Sequence, residues 1–245
     1  MFGHLYCRDV SGRTWLPDLL SLVQAQCPPL PKKALKSADW WPRERALHAP
    51  PGLLRWLIAN CTAPRDEALG TGDTRRKREA LVRRDPETVS EALRLLSGMG
   101  AGRNWYTLEG PSQPDAFVEA DEFVVVIEGK RTESAPTTKT EWMPVRHQML
   151  RHLDAAWEIR EQRPVVGLMI VEGENGGGTL PAGYRDYRES LEGGTALDDS
   201  LPHRTKEERA VILQAFAGVT TWRAVLEALR VPDDVLIPQL SADGV

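Results

Sequence analysis

The chain has 245 residues, of which 41% are hydrophobic and 27% are charged, and its formal net charge is −4. These values are ordinary for a globular protein in water. No apolar run approaches the ~20 residues that a membrane-spanning helix needs, so the composition excludes a membrane-embedded class. The first fifteen residues lack a basic start followed by an apolar stretch, so we expect no signal peptide there.

The cysteines and the charge distribution carry further information. Cys7, Cys27 and Cys61 are odd in number and widely spaced, which favours reduced thiols and a cytoplasmic protein. Residues 1–84 hold fifteen Lys/Arg and eight Asp/Glu, whereas the remainder holds sixteen and twenty-seven. A nucleic acid would meet the basic part first. The alternative is a charge difference between solvated faces.

The N-terminal part predicts short helices. Leu16–Val23 has the pattern of a short helix, which the prolines of residues 28–31 would end, and Trp40 and Trp41 predict an irregular aromatic patch. Leu53–Asn60 is apolar at helical spacing and predicts a buried helix.

A basic helix is predicted at Thr74–Arg84, where Asp73 or Thr74 would be the N-cap. It carries six positive charges, opposed only by Glu79. Such a helix could follow phosphates, and a solvated helix face is the alternative. The candidate nucleic-acid-binding residues on it are Arg75, Arg76, Lys77 and Arg78.

The next helix has a strong start signal, with Asp85 as N-cap, Pro86 at the first helical position and Glu87 in the first turn. It is predicted to run to about Leu96, before Gly98 and Gly100. Asn104–Glu109 predicts a strand.

Residues 114–119 and 123–131 predict a β-hairpin, because two runs rich in Val, Phe and Ile flank a polar centre. With Asp121-Glu122 as the loop, Ala120 opposes Phe123 and Asp115 opposes Glu128. Since side chains alternate between faces, Asp115, Glu128 and Lys130 then share one face. Val118, Val125 and Ile127 would point into the opposite layer.

This cluster suits a divalent metal. Magnesium uses one or two protein carboxylates and keeps waters and phosphate oxygens. Asp115 and Glu128 are the candidate ligands, with the Gly129 carbonyl as a further one, and Mn²⁺ is expected to substitute for Mg²⁺. Lys130 could orient the attacking water and offset the charge that builds at phosphorus. The alternative is an exposed ion-pair cluster worth ~1 kcal/mol or less.

Pro114-Asp115, twelve intervening residues and then Glu128-Gly129-Lys130 resemble the signature of the PD-(D/E)xK nucleases, the restriction-endonuclease-like superfamily. Glu128-Gly129-Lys130 is the only acid-x-Lys triplet in the chain. A helix from about Pro144 to Glu161 and an apolar strand at Val165–Val171 follow the hairpin. From residue 85 to 172 the predicted order is therefore αβββαβ, which resembles the shared core of that superfamily.

The helix after the hairpin adds to the resemblance. Gln148, Arg151 and His152 lie at i, i+3 and i+4, hence on one face. Gln148-x-x-Arg151 is similar to a polar motif that RecB-like nucleases carry beside their site, and a solvated polar face is the alternative. The resemblance also implies an acid from the preceding helix, for which Glu87 and Glu91 remain open.

The C-terminal part predicts a flexible Gly-rich loop at Gly173–Gly178, a helix 206–216 opened by the capping box Thr205-x-x-Glu208, a turn at residues 217–219 and a helix at Thr220–Leu229. The local acidity favours a plain helical pair over a DNA-binding helix-turn-helix.

We therefore expect an α/β (α+β) protein with a restriction-endonuclease-like core. Its three predicted parts are a basic helical or irregular region at 1–84, the core at 85–172 and a helical appendage at 173–245. The resemblance implies a magnesium-dependent nuclease with Asp115, Glu128, Lys130 and Gln148 as catalytic residues and Arg151 among the nucleic-acid contacts. DNA is the first partner and RNA the alternative, and a homo-oligomer is left open. The competing hypotheses are an inactive nucleic-acid-binding or assembly module and a helical regulator.

Overall fold

A computed structural model of the protein describes residues 1–23, 33–40, 42–98 and 104–232. Several sequence predictions lie outside these residues: those for Cys27, the prolines of residues 28–31, Trp41, Gly100 and the last residues of the chain. The described part is a mixed α/β structure with one open five-stranded sheet. None of its helices has the length and apolar character that crossing a membrane requires. Cys7 and Cys61 are both free thiols.

The described residues form five strands and twelve α-helices. The strands are β1 (Ser37–Trp40), β2 (Ala116–Glu119), β3 (Val124–Lys130), β4 (Val165–Val171) and β5 (Phe216–Thr221). The helices are α1 (Phe2–Arg8), α2 (Leu16–Ser21), α3 (Pro51–Asn60), α4 (Asp66–Leu69), α5 (Gly72–Val82), α6 (Pro86–Ser97), α7 (Gln148–Ile159), α8 (Ala182–Arg185), α9 (Tyr187–Glu192), α10 (Ala196–Ser200), α11 (Lys206–Gln214) and α12 (Trp222–Leu229).

The five strands lie in the order β1-β2-β3-β4-β5. The pairs β1–β2 and β2–β3 are antiparallel, and the pairs β3–β4 and β4–β5 are parallel. The parallel connections need crossovers, which α7 supplies between β3 and β4 and helices α8 to α11 supply between β4 and β5. The sheet thus takes strands from all three of the predicted parts of the chain.

The two central strands are buried on both sides, which explains their nearly continuous apolar sequences. All seven residues of β4 are buried, as are six of the seven in β3. Val118, Val125 and Ile127 pack on one face with α2 and α12. Phe117, Val124 and Val126 pack on the other face with α7. The predicted placement of Val118, Val125 and Ile127 in the layer opposite Phe117 is therefore confirmed.

Two predicted helix starts are confirmed. The Asp85 side chain accepts a hydrogen bond from the Thr88 amide at the start of α6, with Pro86 next to it. The capping box of α11 is complete, because the Thr205 hydroxyl accepts from the Glu208 amide and the Glu208 carboxylate accepts from the Thr205 amide. The predicted cap of α5 is wrong by a few residues, since Thr71 is its N-cap.

The predicted strand at Asn104–Glu109 is wrong. Thr107 N donates to Asn104 O at 3.0 Å and closes a turn there, and Tyr106 and Leu108 pack into a helical cluster with α3 and α6. The third antiparallel strand is instead β1, in a segment that predicted only an irregular aromatic patch around Trp40. Tertiary packing has overridden a local β preference.

The predicted turn at residues 217–219 is also wrong, and with it the predicted C-terminal helical pair. These residues lie inside β5, which pairs with β4. Gly167 is opposite Phe216 and Leu168 is opposite Gly218, so Ala217 is the extra residue of a bulge. Gly218 has a φ of +143°, a conformation that favours glycine. The glycine that predicted a turn therefore accommodates a bulge at the edge of the sheet.

Candidate active site

The hairpin has the predicted register. Ala120 N donates to Phe123 O at 3.0 Å, Phe117 is opposite Val126, and Ala116 is opposite Ile127. Continuing this register by one residue would place Asp115 opposite Glu128. Because hydrogen-bonded and non-hydrogen-bonded pairs alternate along an antiparallel ladder, the bond between Ala120 and Phe123 implies that Phe117–Val126 and Asp115–Glu128 are non-hydrogen-bonded pairs. Side chains at such positions approach most closely, with Cα atoms about 4.5 Å apart.

Asp115 contacts the backbone of the Glu-Gly-Lys triplet directly. Its Oδ2 accepts a hydrogen bond from Gly129 N at 2.6 Å. The amide and carbonyl of Gly129 therefore face β2, where the next residue in line is Pro114. Proline has no N–H to give to the Gly129 carbonyl, which is compatible with the predicted use of this oxygen as a ligand.

Glu128 is the centre of the cluster and is 3% exposed. Its Oε1 accepts from Gln148 Nε2 at 2.6 Å and lies 2.9 Å from Lys130 Nζ. Its Oε2 lies 2.9 Å from His152 Nε2. That contact is poorly aligned for a hydrogen bond, and neither atom has another partner among the described residues. Gln148 and Lys130, both predicted site residues, thus meet on one carboxylate.

The two carboxylates experience different electrostatic environments. Burial and the negative charge of Glu128 raise the pKa of Asp115. Burial by itself would raise the pKa of Glu128 as well, but His152 and Lys130 hold it below its usual value. An influence of Glu128 on the pKa of Asp115 requires the two groups to be close. One site therefore combines a firmly ionised carboxylate with one that protonates more readily.

Lys130 is nearly buried and paired. Besides Glu128, its Nζ lies 3.5 Å from Glu133 Oε1. Burial lowers the pKa of Lys130, but the Glu128 charge outweighs it and the pKa is raised. The ammonium is therefore charged at neutral pH. Sequence reasoning missed Glu133 because this residue lies beyond the end of the predicted hairpin at residue 131. Its position three residues after Lys130 was the available signal.

His152 links the cluster to the segment before the hairpin. Its Nδ1 lies 2.6 Å from Ser112 Oγ, and both residues are buried. The sequence placed His152 on the same helical face as Gln148, which agrees with their shared contact to Glu128. Ser112 carried no sequence signal. The imidazole therefore lies between Ser112 and Glu128 Oε2, whereas Lys130 contacts the other oxygen of that carboxylate.

A buried ionic network fixes the start of α7 and hence Gln148. Arg146 is fully buried, and its guanidinium contacts Glu109 Oε1 at 3.0 Å, Asp154 Oδ2 at 2.9 Å and the Ser200 carbonyl at 2.7 Å. Gln148 N donates to Thr137 O at 2.9 Å. The helix therefore begins at Gln148, four residues later than predicted, and its first residue is directed at Glu128.

The predicted metal ligands can be tested against the local chemistry. No group of three or more His, Cys, Asp and Glu side chains that could hold a metal occurs in the described part of the chain. Two carboxylates nevertheless suffice for Mg²⁺, which keeps several waters. Glu128 Oε2 and Gln148 Oε1 are buried oxygens without a hydrogen-bond partner among the described residues. Such oxygens need a cation or a water, so the donor set fits a hard divalent cation.

Arg151 is partly buried and is engaged within the fold. Its Nη2 donates to the carbonyls of Gly110 and Pro111 at 3.0 and 2.9 Å, and its Nε lies 3.5 Å from Glu109 Oε1. These contacts hold the segment that leads into the hairpin. Its role in binding nucleic acid remains a prediction.

The four basic residues predicted on α5 have different environments. Arg75 pairs with Asp66 and Glu79, Arg76 pairs with Asp73, and Lys77 lies 2.8 Å from Glu91 and over the Trp105 ring. Arg78 donates to the backbone carbonyls of Ala68, Trp105 and Thr107. Arg78 thus fastens α5 to its neighbours, whereas Arg76 is 73% exposed and remains the most accessible of the four cations.

The two acids left open on α6 differ as well. Glu91 accepts from Lys77, and Glu87 is exposed in the first turn. Neither is among the groups with the largest influence on the pKa of Asp115 or Glu128.

Comparisons with protein-family models, with curated proteins and with solved structures find no match to this chain.

Proposed function

We propose that the protein is a metal-dependent nuclease of the PD-(D/E)xK type that hydrolyses phosphodiester bonds, with DNA as the first expected substrate. One observation carries the proposal: the hairpin register brings Asp115, Glu128 and Lys130 to one face, where Gln148 reaches Glu128 at 2.6 Å. These four residue types occur at the spacing that the sequence resemblance implies.

The residues divide the chemistry between them. Asp115 and Glu128 would hold Mg²⁺, with the Gly129 carbonyl as a further ligand and Mn²⁺ as a substitute. The bound cation would supply Lewis-acid stabilisation of the charge that develops on the phosphoryl group. Gln148 orients the Glu128 carboxylate through its amide N–H and has a second polar atom, Oε1, left for a water or the cation.

Lys130 acts as a cation in this proposal and not as a base. Its raised pKa keeps the ammonium protonated, so it can donate hydrogen bonds to the attacking water or to a phosphate oxygen. A positioned cation in a site with restricted water is worth far more than the same charge in bulk solvent.

A restriction-endonuclease-like core is part of the proposal. The antiparallel hairpin, the crossover helix α7 and the parallel strand β4 support it, because they present the site residues at adjacent positions. The expected third antiparallel strand would then be β1 and not residues 104–109. We further propose a cytoplasmic location, in which Cys7 and Cys61 remain reduced.

The proposal is tested by cleavage assays on linear duplex, circular duplex, single-stranded DNA and RNA, with Mg²⁺, Mn²⁺ or EDTA. We expect metal-dependent cleavage by the wild type. Glu128→Gln and Lys130→Ala should each lose ~10²–10³ in rate, the cost typical of one positioned electrostatic group. Nucleic-acid binding should largely survive in both variants.

Two controls separate lost chemistry from lost structure. Lys130→Met retains the apolar stem of the side chain but leaves Glu128 without its cation, so it should lose cleavage and some thermal stability, while far-UV circular dichroism should show that it remains folded. Lys206→Ala removes an exposed lysine at the start of α11 and should cleave normally. Cleavage at the wild-type rate in both Glu128→Gln and Lys130→Ala would reject the site.

The second candidate function is an inactive module that binds nucleic acid or supports an assembly. The observation that favours it is the local pairing of Glu128, which has Gln148, Lys130 and His152 all within 2.6–2.9 Å. Such a carboxylate could serve structure alone. A wild type that binds nucleic acid, takes up no divalent cation and cuts no substrate would support this function.

A further inference from the structure

Tyr184 has a buried hydroxyl group that finds no partner within the described part of the chain. The residue is 1% exposed, and its hydroxyl oxygen has no hydrogen-bond partner among the described residues. Buried tyrosine hydroxyls usually find such a partner. Its absence here calls for a ligand or a water that supplies the missing acceptor.

The segment that carries Tyr184 packs on the chain just beyond the candidate active site. A Cβ on Gly183 would lie 2.4 Å from Ser134 O, so the backbone of α8 approaches residue 134 as closely as a glycine allows. Ser134 follows Glu133, which itself faces Lys130 Nζ. The contact therefore places Gly183, and with it the neighbouring Tyr184, against the segment that follows the C-terminal end of β3.

Electrostatics agree with this position. Burial, followed by the negative charges of Glu133 and Glu128, raises the pKa of Tyr184 to about 12. The phenol is therefore protonated at neutral pH and has a proton to donate. Lys130, by contrast, already faces two carboxylates. Tyr184 is thus a neutral hydrogen-bond donor near the candidate active site, where the cation Lys130 is already paired with Glu128 and Glu133.

We propose that Tyr184 is a substrate-contacting residue whose hydroxyl donates a hydrogen bond to a non-bridging oxygen of a phosphodiester bound beside Lys130. This inference rests on the proposed function. A phosphodiester oxygen is an acceptor without a donor of its own, so it complements a hydroxyl without an acceptor. The contact leaves the phenol protonated and requires no covalent step.

The chain offers a matched control in Tyr187. It lies three residues further along and is also buried, but its hydroxyl lies 3.3 Å from His147 Nδ1 and its ring stacks on that imidazole. Tyr184→Phe and Tyr187→Phe each remove one oxygen from a buried tyrosine. Only Tyr187→Phe breaks a contact present in the free protein.

The two variants should therefore behave in opposite ways. Tyr184→Phe should have a thermal midpoint equal to or above that of the wild type, because it removes an unpaired buried polar group. Its kcat on the best duplex substrate should fall about 10²-fold, with a smaller change in KM. Tyr187→Phe should have a lower midpoint and a near-normal kcat. A merely structural role of Tyr184 would give the reverse pattern.

The outcomes separate this inference from the proposed function. Cleavage by Tyr184→Phe at the wild-type rate overturns the inference alone. Tyr184 lines an adjoining cavity of about 360 Å³ together with Arg185 and Arg188. A wild-type rate is expected if a water in this cavity accepts the hydrogen bond of the Tyr184 hydroxyl. If the wild type binds a duplex oligonucleotide without cutting any substrate, weaker binding by Tyr184→Phe than by Tyr187→Phe upholds the inference although the proposed enzyme fails. A wild type that neither binds nor cuts overturns both.

Discussion

Trp222 lies directly against Gly129. A Cβ on Gly129 would be 2.7 Å from Trp222 Cζ2 and 3.3 Å from Asp115 Oδ2. The indole Nε1 of Trp222 also donates to the Lys130 carbonyl at 3.2 Å. The middle residue of the Glu-Gly-Lys triplet is thus confined between the first residue of α12 and the Asp115 carboxylate. A side chain there would disturb packing and the candidate site together.

Gly129→Ala should therefore destabilise the protein. Inserting a methyl group into a packed position typically costs about 1–3 kcal/mol, and the indole can yield only by moving away from the Lys130 carbonyl. Urea unfolding measures the free energy of unfolding, and metal-dependent cleavage should fall in parallel. The matched control is Gly178→Ala, because a Cβ on Gly178 meets nothing within 4 Å. Equal stabilities of the two variants would contradict the packing account.

The basic helix α5 allows a second prediction, which distinguishes two of its arginines. Arg78→Ala removes the donor to three backbone carbonyls, which would then lose their partner. We expect a loss of about 1–3 kcal/mol in the free energy of unfolding. Arg76→Ala breaks only an exposed pair with Asp73 and should change stability by less than about 1 kcal/mol.

Arg76→Ala also gives a third prediction, which tests whether α5 contacts phosphates. If Arg76 neutralises a phosphate of duplex DNA, Arg76→Ala should reduce the slope of log affinity against log salt by about 0.9. The slope is measured by titration between low and physiological salt. An unchanged slope would favour the solvated helix face for this residue.

The candidate site was largely predictable because a hairpin register depends on local pattern. Once Asp121-Glu122 is taken as the loop, period-two alternation fixes the faces of Asp115 and Glu128. Helical spacing put Gln148 and His152 on one face of α7, and the resemblance implied that this face lies beside the site. What the sequence could not supply was the set of partners from distant segments, namely Ser112 on His152 and Trp222 on Gly129. Such contacts depend on which elements pack together, and no local period encodes that.

The fold was predictable only in its central part. The strand β4 has the predicted bounds because it is buried on both sides and reads as a continuous apolar run. The edge strands β1 and β5 were missed for opposite reasons. β1 is a short segment whose four residues are all only partly buried, so it lacks an apolar pattern. β5 contains a glycine that predicted a turn, whereas pairing with β4 imposes a bulge.

Divalent cation binding gives a fourth prediction, which needs no substrate. A cation that binds only the folded protein stabilises it by about 2.7 kcal/mol at a hundred times its Kd, so Mg²⁺ should raise the thermal midpoint and EDTA should reverse the shift. Asp115→Asn should abolish the shift. Asp121→Asn alters a surface carboxylate of the same hairpin, which pairs with Lys33 and Lys36, and should retain it. An equal Mg²⁺ shift in both variants would remove Asp115 from the ligand set.

The last prediction concerns Asp154, which is fully buried. Its Oδ2 contacts Arg146, and its Oδ1 contacts His203 and Arg204. The guanidinium of Arg146 also contacts Glu109.

Burial by itself would raise the pKa of Asp154, but His203, Arg146 and Arg204 hold it well below its usual value. A carboxyl group with a depressed pKa in the folded state contributes stability that is complete above its unfolded pKa of about 3.9 and is lost as the pH falls towards the folded pKa.

Asp154→Asn leaves two buried arginines without this partner and should cost about 3–5 kcal/mol at pH 7. The difference from the wild type should shrink as the pH is lowered from 5 to 3, because the Asp154 carboxyl of the unfolded wild type is then being protonated, whereas the depressed pKa keeps that of the folded protein ionised. Urea unfolding at several pH values measures this, with Asp198→Asn as the control for an exposed pair with Arg209. A difference that stays constant between pH 7 and pH 3 would show that the charge of Asp154 does not stabilise the network.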